Sequence, residues 1–139
     1  MGRAENKSEQ GPRGKDVREA GRFAYGSLER LFHERARLSI VSSLAAHRDG
    51  VVFSDLKMLC ALTDGNLSRQ LQTLQEAHVI EIWKGSKNNR PQTLCRLTEQ
   101  GRRRFAAYVS GLQQVIEDAQ SEAATDSASR SQPRGLSLT

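Results

Sequence analysis

The chain has 139 residues, 37% hydrophobic and only 5% aromatic, with a net charge of +5. That length suits one domain with a small core. No apolar run nears the ~20 residues that span a bilayer, so no membrane partner is expected. Two cysteines, Cys60 and Cys95, show neither a metal spacing nor a disulfide framework.

Residues 1–26 carry Gly, Lys, Arg, Glu and Ser and almost no large apolar side chains. They read as a flexible basic arm. The opening stretch MGRAENKSEQGPRGKD contains no apolar signal-peptide core. With the sparse cysteines, a reducing cytoplasm is the expected location.

Helical periodicity begins at Leu28. Leu31, Phe32, Leu38, Val41, Leu44 and Ala45 form one apolar face. Arg35 interrupts it, which predicts a break near His33 and a short helix before a longer one. Gly50 is expected to stop that helix. Val51, Val52 and Phe53 then read as a short β-run. Ser54 is the expected N-cap of the next helix, with Asp55 in its first turn and Leu56, Leu59 and Cys60 on its inner face. It should end by Leu62. Thr63 or Asp64 caps another helix, reaching about Ala77. Two short helices across a tight turn are a helix-turn-helix.

Residues 79–84, VIEIWK, predict a strand, residues 85–91 a long polar loop, and residues 92–97 a second strand. Strand alternation points Ile80, Ile82, Cys95 and Leu97 inward and sets Trp83 opposite Leu94 on the outer face. Thr98 should cap a final helix of about 20 residues, with residues 121–139 as a disordered tail. The fold class is α+β, mostly helical. It is a winged helix-turn-helix over residues 27–120, with a two- to three-stranded wing and a C-terminal dimerisation helix.

The helix from 64 to 77 has Leu67, Leu71 and Leu74 on its buried stripe. Asn66, Arg69, Gln72 and Thr73 lie on the opposite face, flanked by Ser68 and Gln70. Arg can pair with guanine O6 and N7, and Asn or Gln with adenine N6 and N7. Asn66, Ser68, Arg69, Gln72 and Thr73 are therefore candidates for reading bases or holding phosphates. The hairpin tip adds Lys84, Lys87, Asn88, Asn89 and Arg90, side chains suited to phosphates and the minor groove. From Arg69 to Arg104 there are eight basic and three acidic side chains, an excess equal to the whole chain's +5. A local basic field favours a polyanion. A solvated polar helix face and a merely soluble loop are the plainer alternatives.

The stretches TDGNLSRQLQTLQEAHVIEI, residues 63–82, and RPQTLCRLTEQGRRRF, residues 90–105, resemble the recognition helix, wing and last-helix start of small winged helix regulators in the MarR/ArsR-like superfamily. The resemblance covers residues 28–118 and implies a dimeric regulator that binds double-stranded DNA. It places Asn66, Ser68, Arg69 and Gln70 in the groove and Lys87 and Arg90 on the wing.

The last helix carries apolar residues at 105, 109, 112, 116 and 119, a heptad-like seam, widened by Tyr108 and Val115. Phe105, Tyr108, Val109, Leu112, Val115 and Ile116 are thus the expected homodimer interface, helped by the segment Leu28–Phe32. A two-fold dimer implies an inverted-repeat site. No catalytic constellation is readable, and His33, His47 and His78 have no metal-ligand spacing. No cofactor is expected. The other readings are a protein-interaction winged helix, or an effector- or thiol-sensing regulator of the same fold, its effector unknown.

Overall fold

A computed structural model describes residues 19–128 and Gly135. The expected arm up to residue 18 and the tail beyond 128, Gly135 apart, lie outside the described residues. One 3-10 turn, Arg30–His33, precedes α1, Arg35–Ala46. The break near His33 is real, and Glu34 makes it. Its carboxylate accepts the backbone N–H of Arg37 at 2.9 Å and caps α1. Gly50 does not stop α1, which ends at Ala46. Instead Gly50 takes φ +100° and passes so close to the next sheet that a Cβ would lie 2.8 Å from the Cys95 carbonyl oxygen.

Strand β1 is only Val51–Val52, and α2 spans Phe53–Cys60. Phe53 is therefore helical rather than extended, and Val52, not Ser54, is the N-cap. The cause is register: Val51 pairs with Cys95 and Val52 with Leu94, and the pairing ends there. Leu56 is fully buried, but Leu59 is 58% exposed and does not belong to the inner face. A two-turn helix offers one narrow stripe, and Leu56 and Cys60, four apart, supply it.

Helix α3, Asp64–Glu76, begins at Thr63, whose hydroxyl accepts the Asn66 backbone N–H at 3.1 Å. Leu67, Leu71 and Leu74 are buried, as their spacing predicts. Both helices of the helix-turn-helix end in the same way. Ala61 and His78 take left-handed conformations, φ 55° and 64°. Leu62 N–H then reaches Lys57 O, and Val79 N–H reaches Leu74 O, closing each helix with a Schellman pattern.

The wing is longer than expected. Strands β2, Ile80–Lys87, and β3, Arg90–Leu97, leave only Asn88 and Asn89 between them. Both asparagines have positive φ, 53° and 62°, as a two-residue type I′ turn requires. The expected seven-residue loop is thus a tight hairpin. Pro91 is accommodated because its pair with Ser86 falls next to the closing pair Lys87–Arg90. In an antiparallel ladder that neighbouring pair is not hydrogen-bonded, so the missing N–H is not needed. The sheet order is β1-β3-β2. Ile80, Cys95 and Leu97 are buried and Ile82 partly so, while Trp83 pairs with Leu94 on the outer side.

Helix α4 runs Glu99–Ala128, ten residues longer than expected and into the segment read as a tail. The Thr98 hydroxyl accepts the Gly101 N–H at 2.8 Å, the expected cap. Phe105 and Tyr108 pack on Phe32, with ring centroids 5.4 and 5.2 Å away. The Tyr108 hydroxyl lies 2.7 Å from His33 Nδ1. The Phe105 and Tyr108 rings are buried in the chain's own core, so neither is free for a second subunit. The final turns of the expected arm also have a place in the fold. Tyr25 donates to Asp118 at 2.7 Å, Arg22 reaches the same carboxylate at 3.4 Å, and Ser27 and Leu28 cross α4 at Gly111. The arm's boundary therefore moves back from residue 26.

Candidate nucleic-acid interface

Strand alternation does more than fill the core. Ile80, Ile82 and Lys84 share one face of β2, and Leu97, Cys95 and Thr93 share the matching face of β3. Near α3 that face is apolar and buried. Towards the tip it rises out of the core and becomes the wall of a cleft. A cleft of about 270 Å³ lies between wing and α3, lined by Phe53, Ser68, Leu71, Gln72, Ile82, Lys84 and Thr93 among others. A larger one, about 730 Å³, runs from Val52–Ser54 to the wing tip at Lys87, Asn88 and Arg90. Phe53 and Thr93 line both, so the two form one concave surface.

The sequence-derived candidates sort onto this surface. Ser68, Gln72 and Lys84 line the first cleft; Lys87, Asn88 and Arg90 line the second. Arg69 is exposed on the shoulder of α3, and Asn66 and Thr73 are half-buried beside it. Among the described residues no ion pair engages Arg69, Lys84, Lys87 or Arg90. Gln70 behaves differently. Its carbonyl oxygen accepts Arg37 Nη1 at 3.0 Å, tying α3 to α1. Gln70 is therefore tied to α1 as well as to its own helix.

The basic excess is also redistributed. Arg96 is paired with Glu81 at 2.9 Å and stacks over Trp83 at 5.5 Å. Arg104 is paired with Glu29 at 2.8 Å. These two cations are structural. Lys84, Lys87 and Arg90 are the wing cations left outside any ion pair among the described residues. Phe53, Ser54, Gln75 and Thr93 also line the surface, yet composition gave no cue to them. Thr93 could have been found from its place opposite Lys84.

Cys95 is buried, and burial pushes its thiol up to about 11. Cys60 is half-buried with its sulfur 3.7 Å from the Ser43 hydroxyl. Among the described residues no helix is long and apolar enough to cross a membrane.

Comparison with known proteins agrees with this geometry. The transcriptional regulator homologue from Pyrococcus horikoshii OT3 superposes with a TM-score of 0.61 at 24% identity, covering 73% of this chain and 97% of that one. MepR of Staphylococcus aureus, in a structure with DNA, gives 0.58 at 20% identity, covering 81% of this chain and 91% of that one. These likenesses bear out the expected fold. An uncharacterized protein of Methanocaldococcus jannaschii is 30% identical over 86 residues, 62% of this chain and 92% of its own length. The winged helix DNA-binding domain family matches residues 36–116. The chain belongs to the winged helix DNA-binding domain family.

Proposed function

We propose that the chain is a sequence-specific transcriptional regulator that binds duplex DNA as a homodimer. In this reading α3 lies in the major groove, presenting Asn66, Ser68, Arg69, Gln72 and Thr73. The hairpin tip, with Lys84, Lys87, Asn88 and Arg90, follows the phosphate backbone or enters the minor groove. The observation that carries the reading is the shared concave surface. It joins the polar face of α3 to the wing tip, and Lys84, Lys87 and Arg90 line it. The similar MepR fold in a structure with DNA supports it.

Assembly rests on α4. Val109 is 40% and Ile116 53% exposed, seven residues apart on one side of the helix, with Val115 half-buried nearby. This ridge replaces the broader seam read from sequence, because Phe105 and Tyr108 are used internally and Leu112 packs partly on the core. A second copy about a two-fold axis covers the ridge and makes the DNA site an inverted repeat. The protein acts in the cytoplasm. Selection from random duplexes with the purified protein tests the whole reading. A recovered inverted repeat is the expected result, and no enrichment overturns it.

A further inference from the structure

Four side chains form a directed chain of hydrogen bonds under the recognition surface. Arg37 Nε donates to the Leu31 carbonyl at 2.8 Å, which fixes the guanidinium. Arg37 Nη1 donates to Gln70 Oε1 at 3.0 Å. Gln70 Nε2 donates to Asn66 Oδ1 at 3.2 Å, and Arg69 Nη2 donates to the same oxygen at 3.2 Å.

The direction of this relay is chemically forced. A side-chain amide can be turned either way, and its partners decide which. Arginine has donors only and is always charged. Gln70 must therefore turn its oxygen to Arg37, which leaves its amide nitrogen facing Asn66. Asn66 must then offer its oxygen to Gln70. Arg69 occupies that oxygen's second lone pair. The Asn66 amide nitrogen is left pointing away from the relay, with no partner among the described residues.

We propose that Arg37 and Gln70 lock Asn66 as a hydrogen-bond donor, so that Asn66 and Arg69 together read an acceptor edge, guanine O6 and N7, rather than adenine. The inference rests on the DNA-binding reading and deepens it. Asparagine recognises adenine through both ends of its amide, accepting from N6 while donating to N7. Here the accepting end is occupied from within the protein. Asn66 is the third residue of α3, in the part of a recognition helix that meets base edges. Arg37 and Gln70 are positioning residues that act through Asn66.

The test is selection from random duplexes with the full chain, followed by affinity measurements on the selected site. The base pair whose preference disappears in Asn66→Ala marks the position read. Guanine is expected there. Replacing that guanine with 7-deazaguanine, which lacks the N7 acceptor, should weaken wild-type binding about 10-fold. Gln70→Glu keeps a partner for Arg37 but offers Asn66 only acceptors. It should reverse the Asn66 amide and move the preference towards adenine. Arg37→Met should blur the preference, and Arg37→Lys, still donor-only, should restore it. Thermal melts establish that each variant is folded, and the modified-base measurement requires no variant. Adenine selected by the wild type, indifference to 7-deazaguanine, or an unchanged preference in folded Gln70→Glu overturns the relay while leaving DNA binding intact. Failure to enrich any sequence removes the DNA-binding reading, and this one with it.

Discussion

Arg104 grips Glu29 with two nitrogens, Nη2 at 2.8 Å and Nε at 3.1 Å, and with Nη1 donates to the Ala77 carbonyl at 2.8 Å. One side chain of α4 thereby joins the segment before the 3-10 turn to the end of the recognition helix. These hydrogen bonds, aided by the Arg104 charge and opposed by partial burial, hold the Glu29 carboxyl below its ordinary range. A lowered folded value means the stabilisation is complete above the normal carboxylate range. It is lost as pH falls through the depressed value. Arg104→Ala should cost about 1–2 kcal/mol at neutral pH. Urea unfolding of Glu29→Gln should show a smaller loss that vanishes in acid.

The wing cations should govern the salt response. Each phosphate neutralised contributes about −0.9 to the slope of log affinity against log salt. Lys87→Ala with Arg90→Ala should flatten that slope by up to ~2 units. Fluorescence anisotropy on one duplex across a salt series measures it. An unchanged slope would remove the wing tip from the interface.

Gly101 has no room for a side chain. A Cβ there would meet the Val79 carbonyl oxygen at 2.1 Å, a backbone atom that cannot give way cheaply. Gly101→Ala should destabilise the fold by roughly 3 kcal/mol or more, because α4 must shift off the end of the recognition helix. Chemical denaturation decides this; a near-wild-type midpoint contradicts the close approach.

The two Schellman turns run the other way. Ala61 and His78 hold left-handed conformations that glycine adopts without strain. Ala61→Gly and His78→Gly should each raise stability by about 0.5–1 kcal/mol, after allowing for the freer unfolded chain. A loss in either variant would mean the side chain contributes more than the backbone strain removes.

Val109→Glu with Ile116→Glu places charges on the exposed α4 ridge without touching the aromatic core. Light scattering should show a soluble monomer, and affinity for an inverted repeat should fall sharply as bivalent engagement is lost. A wild-type monomer overturns the assembly.

What the sequence revealed follows from the range of each interaction. Leu67, Leu71 and Leu74 announce the buried side of α3 because the stripe is local and periodic. Ile80 and Ile82 announce β2 in the same way. The wing's length was obscured by Gly85, Ser86 and Pro91, residues with low strand propensity. The asparagine pair, which tolerates positive φ, outweighs them by fixing the register. Phe105 and Tyr108 fit a dimer seam by spacing alone because a core face and an interface face have the same period in one dimension. The Arg37–Gln70 contact joins residues 33 positions apart, and no local pattern marks it. The same is true of Tyr25 and Asp118, whose hydrogen bond draws the N-terminal segment onto α4.

Strand β1 is two residues long, yet it hydrogen-bonds to the wing and leads directly into α2. The base of the wing is thereby tied to the start of α2. That tie favours one gap between α3 and the base of the hairpin, like the jaws of a caliper set to one width. In the proposed complex, DNA whose groove width matches that gap needs little distortion, and DNA that does not match must bend or twist to fit. A duplex can thus be accepted or refused at base pairs that no side chain touches.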